Sequence, residues 1–203
     1  NLRNQIAGFY KSVKEKFDDL SIDLESFKIK NIDETICAMT EALYLADYTF
    51  DKYLSKKSEH QMKNIYLDAK GKKGAKSQEH LEKAEIISSS MNFARNLVNE
   101  PPNVLNSESY AKIVEKDAQS LKRVKCHILG RIELKKENMG MFLAVNAGSA
   151  HEPRLIHLTY TPAKATKNTK HIVLVGKGLT FDTGGYSLKP GDSMKGMKYD
   201  MAG

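Results

Sequence analysis

The chain has 203 residues, 40% of them apolar, a net charge of +7, two cysteines and no tryptophan. Such apolar content can bury a core in one or two domains, whereas no apolar run approaches the roughly 20 residues of a membrane span and no signal-like leader opens the sequence. Cys37 and Cys126 stand apart, which excludes a Cys-x-x-Cys redox or zinc motif and makes a reducing, cytoplasmic compartment the expectation.

Leu2, Ile6, Phe9, Val13, Phe17 and Leu20 recur at helical spacing, and Ile36, Met39, Leu43, Ala46, Phe50 and Tyr53 do so again. Two amphipathic helices are predicted, the second opened by Asn31 and Glu34 in a pattern resembling a capping box. Ile22 to Ile29 reads as a strand between them and Lys63 to Leu67 as another. Residues 1–75 are therefore predicted to form a partial amino-terminal α/β domain, with Gly71-Lys72-Lys73-Gly74 as its boundary loop. Lys56, Lys57, Lys63, Lys70, Lys72, Lys73 and Lys76 crowd this region with Tyr66 as the only aromatic among them. A solvated loop is favoured there over a nucleic-acid contact.

Residues 76–99 are predicted as one long helix, with Ser77 as N-cap, Leu81, Ala84, Ile87, Met91, Ala94 and Leu97 along it, and a stop near Pro101-Pro102. Ser107 is the expected cap of a helix running towards Leu121. Val124 to Leu129, Met141 to Val145, Leu155 to Tyr160 and His171 to Val175 read as strands, with a polar loop from Thr161 to Thr169. Helices and strands alternate, so the fold class is α/β, with residues 100–203 the first part of a second domain built on a central mixed sheet.

The last strand carries the chemistry. His171-Ile172-Val173-Leu174-Val175 is a short continuous apolar run ending at Gly176, as in a buried strand that delivers its successors to the rim of a sheet. Open α/β sheets place their sites at such carboxyl ends. Four glycines (Gly176, Gly178, Gly184, Gly185), two lysines (Lys177, Lys189) and Asp182 follow, with Asp200 beyond. Glycine allows close backbone approach, so polar side chains between them can turn inward together. Two converging carboxylates would suit a hard or borderline divalent cation. A lysine beside a cation is penalised when protonated, and its neutral amine can then donate a lone pair.

Each residue also has a plainer reading. Gly184 and Gly185 could form only a turn, Lys177 could be solvated, Asp182 and Asp200 could cap turns or helices, Lys189 could merely precede Pro190, and Met197 could fill a core. It is their joint order that favours a site. Other chemistries fail on inspection: no Walker loop, His-Glu-x-x-His or Gly-x-Ser-x-Gly occurs, and the six histidines show no paired ligand spacing.

The run Gly176-Lys177-Gly178-Leu179-Thr180-Phe181-Asp182-Thr183-Gly184-Gly185-Tyr186-Ser187-Leu188-Lys189-Pro190, followed by Met197-Lys198-Tyr199-Asp200-Met201-Ala202-Gly203, closely resembles the active-site segment of the leucyl (cytosol) aminopeptidases, the two-metal M17 exopeptidases. The likeness extends to Ala94-Arg95-Asn96-Leu97-Val98-Asn99-Glu100-Pro101-Pro102-Asn103, to Gly148-Ser149-Ala150 with Pro153-Arg154-Leu155, and more weakly to the stretch from Leu45 to Tyr53. The resemblance implies that the helix over 76–99 connects two domains, and that 100–203 begins the catalytic one. It implies a metal-dependent aminopeptidase with two divalent ions per subunit, Mn2+ or Zn2+, acting on peptides, with leucine and similar first residues preferred. By the same resemblance Lys177, Asp182 and Asp200 are metal ligands, Asp182 bridges both ions, Lys189 hydrogen-bonds the developing oxyanion, and Met197 lines the pocket for the first side chain. Homohexameric assembly is a further implication.

The family completes its site with a later Asn-Thr-Asp-Ala-Glu-Gly-Arg segment, whose Arg holds a bicarbonate acting as general base. No counterpart precedes Gly203, and Asn1 is not an initiator methionine. The expectation is an internal fragment, inactive by itself. The competing class is a catalytically idle relative serving as a DNA-binding or scaffold protein, favoured by the basic balance and opposed by the matching Lys177, Asp182, Lys189 and Asp200.

Overall fold

The computed structural model describes residues 1–27, 31–57, 62–70 and 76–201. The chain divides into two compact units, 1–96 and 97–203.

In the first unit, helix α1 (Leu2–Val13) leads to strand β1 (Asp19–Asp23), helix α2 (Ile32–Asp47), strand β2 (Asn64–Asp68) and helix α3 (Ser77–Asn99), whose last turn belongs to the second unit. Strands β1 and β2 are parallel, with Leu20 opposite Ile65 and Ile22 opposite Leu67. Parallel pairing needs a crossover, and α2 lies within it. The core consists of Ile6 and Tyr10 from α1, Ile22 from β1, Leu24, and Ile36, Met39, Ala42, Leu43 and Ala46 from α2. Ile6 of α1 and Ile36, Met39, Leu43 and Ala46 of α2 are thus buried in one core as expected of amphipathic helices, whereas Phe9 of α1 is exposed. Asn31 caps α2 by accepting from the Glu34 amide at 3.3 Å. Tyr10, fully buried, donates its hydroxyl to Asp47 Oδ1 at 2.8 Å, and burial together with that carboxylate raises its pKa.

Several predicted boundaries move. Helix α1 ends at Val13 instead of running to Leu20, which lies on β1. The first strand begins at Asp19, not Ile22, and a 3-10 turn over Leu24–Ser26 replaces its predicted continuation; the last part of that span falls outside the described residues. The Asp23 side chain accepts from Glu25 N at 2.9 Å, so a local turn takes hydrogen bonds that a longer strand would need. Helix α2 stops at Asp47, short of Phe50 and Tyr53. The boundary loop Gly71-Lys72-Lys73-Gly74 lies outside the described residues. Ser77 is the first residue of α3, where its hydroxyl donates to Asp33 Oδ1 at 2.8 Å.

In the second unit, helix α4 (Ser107–Ser120), strand β3 (Val124–Leu129), helix α5 (Arg131–Lys136), helix α6 (Gly140–Val145), strand β4 (Leu155–Tyr160) and helix α7 (Gly191–Lys195) follow in order. The cap of α4 is Asn106 and not Ser107: its side chain accepts from Glu108 N and Ser109 N while Ser109 Oγ accepts from Asn106 N, a reciprocal box. Strands β3 and β4 are antiparallel, with His127 opposite His157. Leu105, Ala111, Ala118, Leu134 and Met201 are buried in this unit.

Two strand predictions are corrected here. Met141 to Val145 lies in α6, with Leu143 N bonded to Met139 O at 3.1 Å. An apolar run this short has no periodicity to separate helix from strand. His171 to Val175 forms no strand, and Ile172, Val173, Leu174 and Val175 are 80–92% exposed. A strand exists only where a partner meets its backbone, and among the described residues none pairs with this run. No helix among the described residues is long and apolar enough to cross a membrane.

Candidate metal centre

The loop following residue 176 closes on itself at one backbone hydrogen bond, Lys189 N–H to Thr183 O at 2.9 Å. Two positive-φ glycines turn the chain between those ends, Gly184 at 93° and Gly185 at 65°. They differ in what surrounds them. A Cβ on Gly184 would collide with the Ser187 carbonyl oxygen and stand 3.1 Å from Lys189 N, whereas nothing lies within 4 Å of one on Gly185. Both changes carry the left-handed penalty of about 1–2 kcal/mol, but only at Gly184 would the closure itself be forced apart. Gly184→Ala is accordingly expected to lower Tm well beyond Gly185→Ala. Equal values for the two variants would show that the closure is not what organises this loop.

The closure sets Asp182 and Lys189 against each other. Lys189 Nζ reaches Asp182 Oδ2 at 2.5 Å, and Gly184 N–H donates to Asp182 Oδ1 at 2.8 Å. The Lys189 ammonium first, and the Gly184 amide second, hold the Asp182 carboxyl below its ordinary value of 3.8. The carboxylate is thus an anion throughout the neutral range. Because its folded pKa is depressed, its contribution to stability is present above the ordinary value and is lost as pH falls through the lowered one.

Proline at 190 cannot donate a backbone hydrogen bond and suits a helix start, and α7 begins directly after it. A 3-10 turn over Gly196–Asp200 continues the chain. Fully buried Met201 anchors the end of that turn. Asp200 Oδ2 there meets Lys177 Nζ at 2.9 Å, with the two side chains 47% and 59% exposed. Lys177 contributes, after Lys189 and Gly184, to lowering the Asp182 pKa. Met197 is half-buried in the same turn as Asp200.

The structure therefore forms two pairs, Lys189 with Asp182 and Lys177 with Asp200, and Met197 lies in the same turn as Asp200. Sequence reasoning missed Tyr110 of α4, whose ring lies 3.8 Å from where a Gly178 Cβ would stand and whose hydroxyl pKa is raised by burial. An ordinary helix tyrosine far from the motif carries no local signal of that approach. It also missed the pairing itself.

The Asp182 and Asp200 carboxylates, with the Lys177 amine once deprotonated, would offer mixed oxygen and nitrogen donors of the kind that suit a zinc or manganese ion. No group of three or more His, Cys, Asp or Glu side chains capable of holding a metal gathers among the described residues. Asp182, Asp200 and Lys177 would therefore hold part of a coordination shell.

Residues 92–203 match the family model described as "Cytosol aminopeptidase family, catalytic domain". The chain is 42% identical to the probable cytosol aminopeptidase of Sulfurihydrogenibium sp., aligning over 100% of this chain and 40% of that protein. It is 37% identical to the corresponding protein of Campylobacter jejuni, over 100% of this chain and 42% of that one. Among solved structures, the bottromycin maturation enzyme BotP in complex with Mn superposes with a TM-score of 0.84 at 27% identity, covering 100% of this chain and 41% of that one. The chain thus spans about 40% of the length of the proteins it matches.

Proposed function

The chain belongs to the cytosol aminopeptidase family, and from that premise we propose that it is part of a longer metal-dependent aminopeptidase that releases amino-terminal residues from peptides. The observation that carries the reading is the match of residues 92–203 to the family's catalytic-domain model, a region that contains the Lys189–Asp182 and Lys177–Asp200 pairs. When bound, a pair of divalent ions supplies Lewis-acid polarisation of the scissile carbonyl and lowers the pKa of the attacking water.

The residues of this chain divide the remaining work. Asp182, kept ionised by its neighbours, would hold the ions through its carboxylate. Asp200 and Lys177 offer one carboxylate and one amine. Lys189, the least exposed of these charged side chains at 27%, donates an N–H to the oxygen on which negative charge develops, an interaction stronger in the transition state than with the neutral carbonyl. Met197 lines the pocket for the first side chain, with leucine and similar residues preferred. A homohexameric assembly in the cytoplasm belongs to the same proposal.

The test is hydrolysis of leucine p-nitroanilide by the complete protein, stripped with chelator and then given Mn2+ or Zn2+. Chromophore release restored by metal is the expected result and identifies the effective ion. Silence with either metal, from a folded preparation, would overturn the reading.

A further inference from the structure

We infer that His127 and His157 form a two-imidazole site for a borderline transition-metal ion, Cu2+, Ni2+ or Zn2+, on the solvent face of the β3–β4 ladder. The inference is independent of the metal centre proposed above.

The two histidines lie on different strands, so no local spacing joins them. The antiparallel register sets them directly opposite each other. Opposed residues of such a ladder project from the same face, with Cβ atoms about 4.5–5.5 Å apart. Two rings so placed can turn to one ion at the ~2.0–2.1 Å of a zinc–imidazole bond. The face is open: along β3, Lys125 and His127 are exposed while Val124 and Cys126 are half-buried, and His157 on β4 is exposed as well. Glu115 of α4 lies within electrostatic reach of Cys126, which places that helix on the other side of the sheet. Among the described residues the two rings make one hydrogen-bond contact, His157 Nε2 with Thr159 Oγ1 at 3.4 Å, long enough to exchange for a metal bond at little cost. Glu133 of α5 accepts from Gly130 N–H at 3.0 Å and lies within electrostatic reach of His127. Its carboxylate offsets the charge of Lys125, which shares the face with His127.

Imidazole nitrogen suits copper, nickel and zinc, and the order of affinities puts Mn2+ last. Two side chains leave the rest of the shell to water, so this site differs in chemistry from the carboxylates and amine of Asp182, Asp200 and Lys177. An ion held there ties β3 to β4 and stabilises the folded state by mass action.

The experiment titrates the complete protein with the Cu2+ complex of iminodiacetate at about pH 8, where imidazole is ordinarily neutral, and follows the copper electron paramagnetic resonance spectrum. The chelator fills part of the copper shell, so tight binding selects paired imidazoles. A bound species with hyperfine structure from two imidazole nitrogens is expected. His127→Gln and His157→Gln should each weaken it at least about tenfold. His151→Gln, also on an exposed histidine of this unit, should bind like the unaltered protein, and so should Asp182→Ala. Undiminished affinity in either the His127 or the His157 variant, or no two-nitrogen species in the unaltered protein, would overturn the inference. Loss of the species in Asp182→Ala would overturn it too, by assigning the copper to the other centre.

Discussion

Asp182→Ala in the complete protein is expected to abolish metal retention and peptide hydrolysis together. Asp182 lies at the centre of the charged group: it receives Lys189 and Gly184 directly and feels Lys177 through space. Removing the carboxylate would take away the proposed bridging ligand and leave Lys189 without the carboxylate it pairs with. Metal catalysis contributes several kcal/mol to the transition state, and each 1.36 kcal/mol is tenfold in rate. The loss should therefore exceed about 1000-fold in kcat/KM. Elemental analysis of the dialysed protein alongside leucine p-nitroanilide kinetics checks both halves, and Asp182→Asn, which keeps the size and removes the charge, should follow Asp182→Ala. Retention of two ions by either variant would refute the bridging role.

Lys189→Ala should show a different signature: kcat lower by about 100- to 1000-fold, with KM little changed, as for loss of one oxyanion donor. The geometry supports that separation. Lys189 is joined to the loop by its backbone bond to Thr183, so truncating the side chain leaves the chain path and Asp182 in place. Its ammonium is held within the site by the only carboxylate it pairs with among the described residues. Steady-state kinetics at saturating metal make the distinction, because slow or weak metal uptake then no longer limits the rate. An unaltered kcat would remove Lys189 from the chemistry, while a large rise in KM with constant kcat would make it a substrate-binding group alone.

Helices α3 and α4 were legible in the sequence to within a turn at both ends and α1 and α2 at their starts, whereas the short helices α5, α6 and α7 were not legible. Asn31 caps α2 as expected, the cap of α4 falls one residue before the expected Ser107, at Asn106, and a stop before Pro101-Pro102 was expected and is found at Asn99. Helix hydrogen bonds and their caps lie within a few residues of one another, so local residue choice speaks directly to them. Strands were legible only where a partner was at hand. Val124 to Leu129 and Leu155 to Tyr160 are strands as predicted, and the structure pairs them with each other. His171 to Val175, with the strongest β-type composition of the chain, stands exposed because its backbone has no ladder among the described residues. Met141 to Val145 was ambiguous for another reason, since five apolar residues fit either period.

For the site, the sequence alone determined the cast: four charged residues and two turn glycines in one order, close enough to a known pattern to indicate the family and the class of chemistry. Only the tertiary structure decided the pairing. It set Lys189 on Asp182, seven positions away, and Lys177 on Asp200 from the far side of α7 in sequence. It also gave Gly184 a role that Gly185 does not share, because the Ser187 carbonyl oxygen and Lys189 fold back over one and not the other. Residue types and spacing state which charges a loop carries. Which charge meets which depends on the path of the backbone through space, and here that path is set by a positive-φ turn and one closing hydrogen bond.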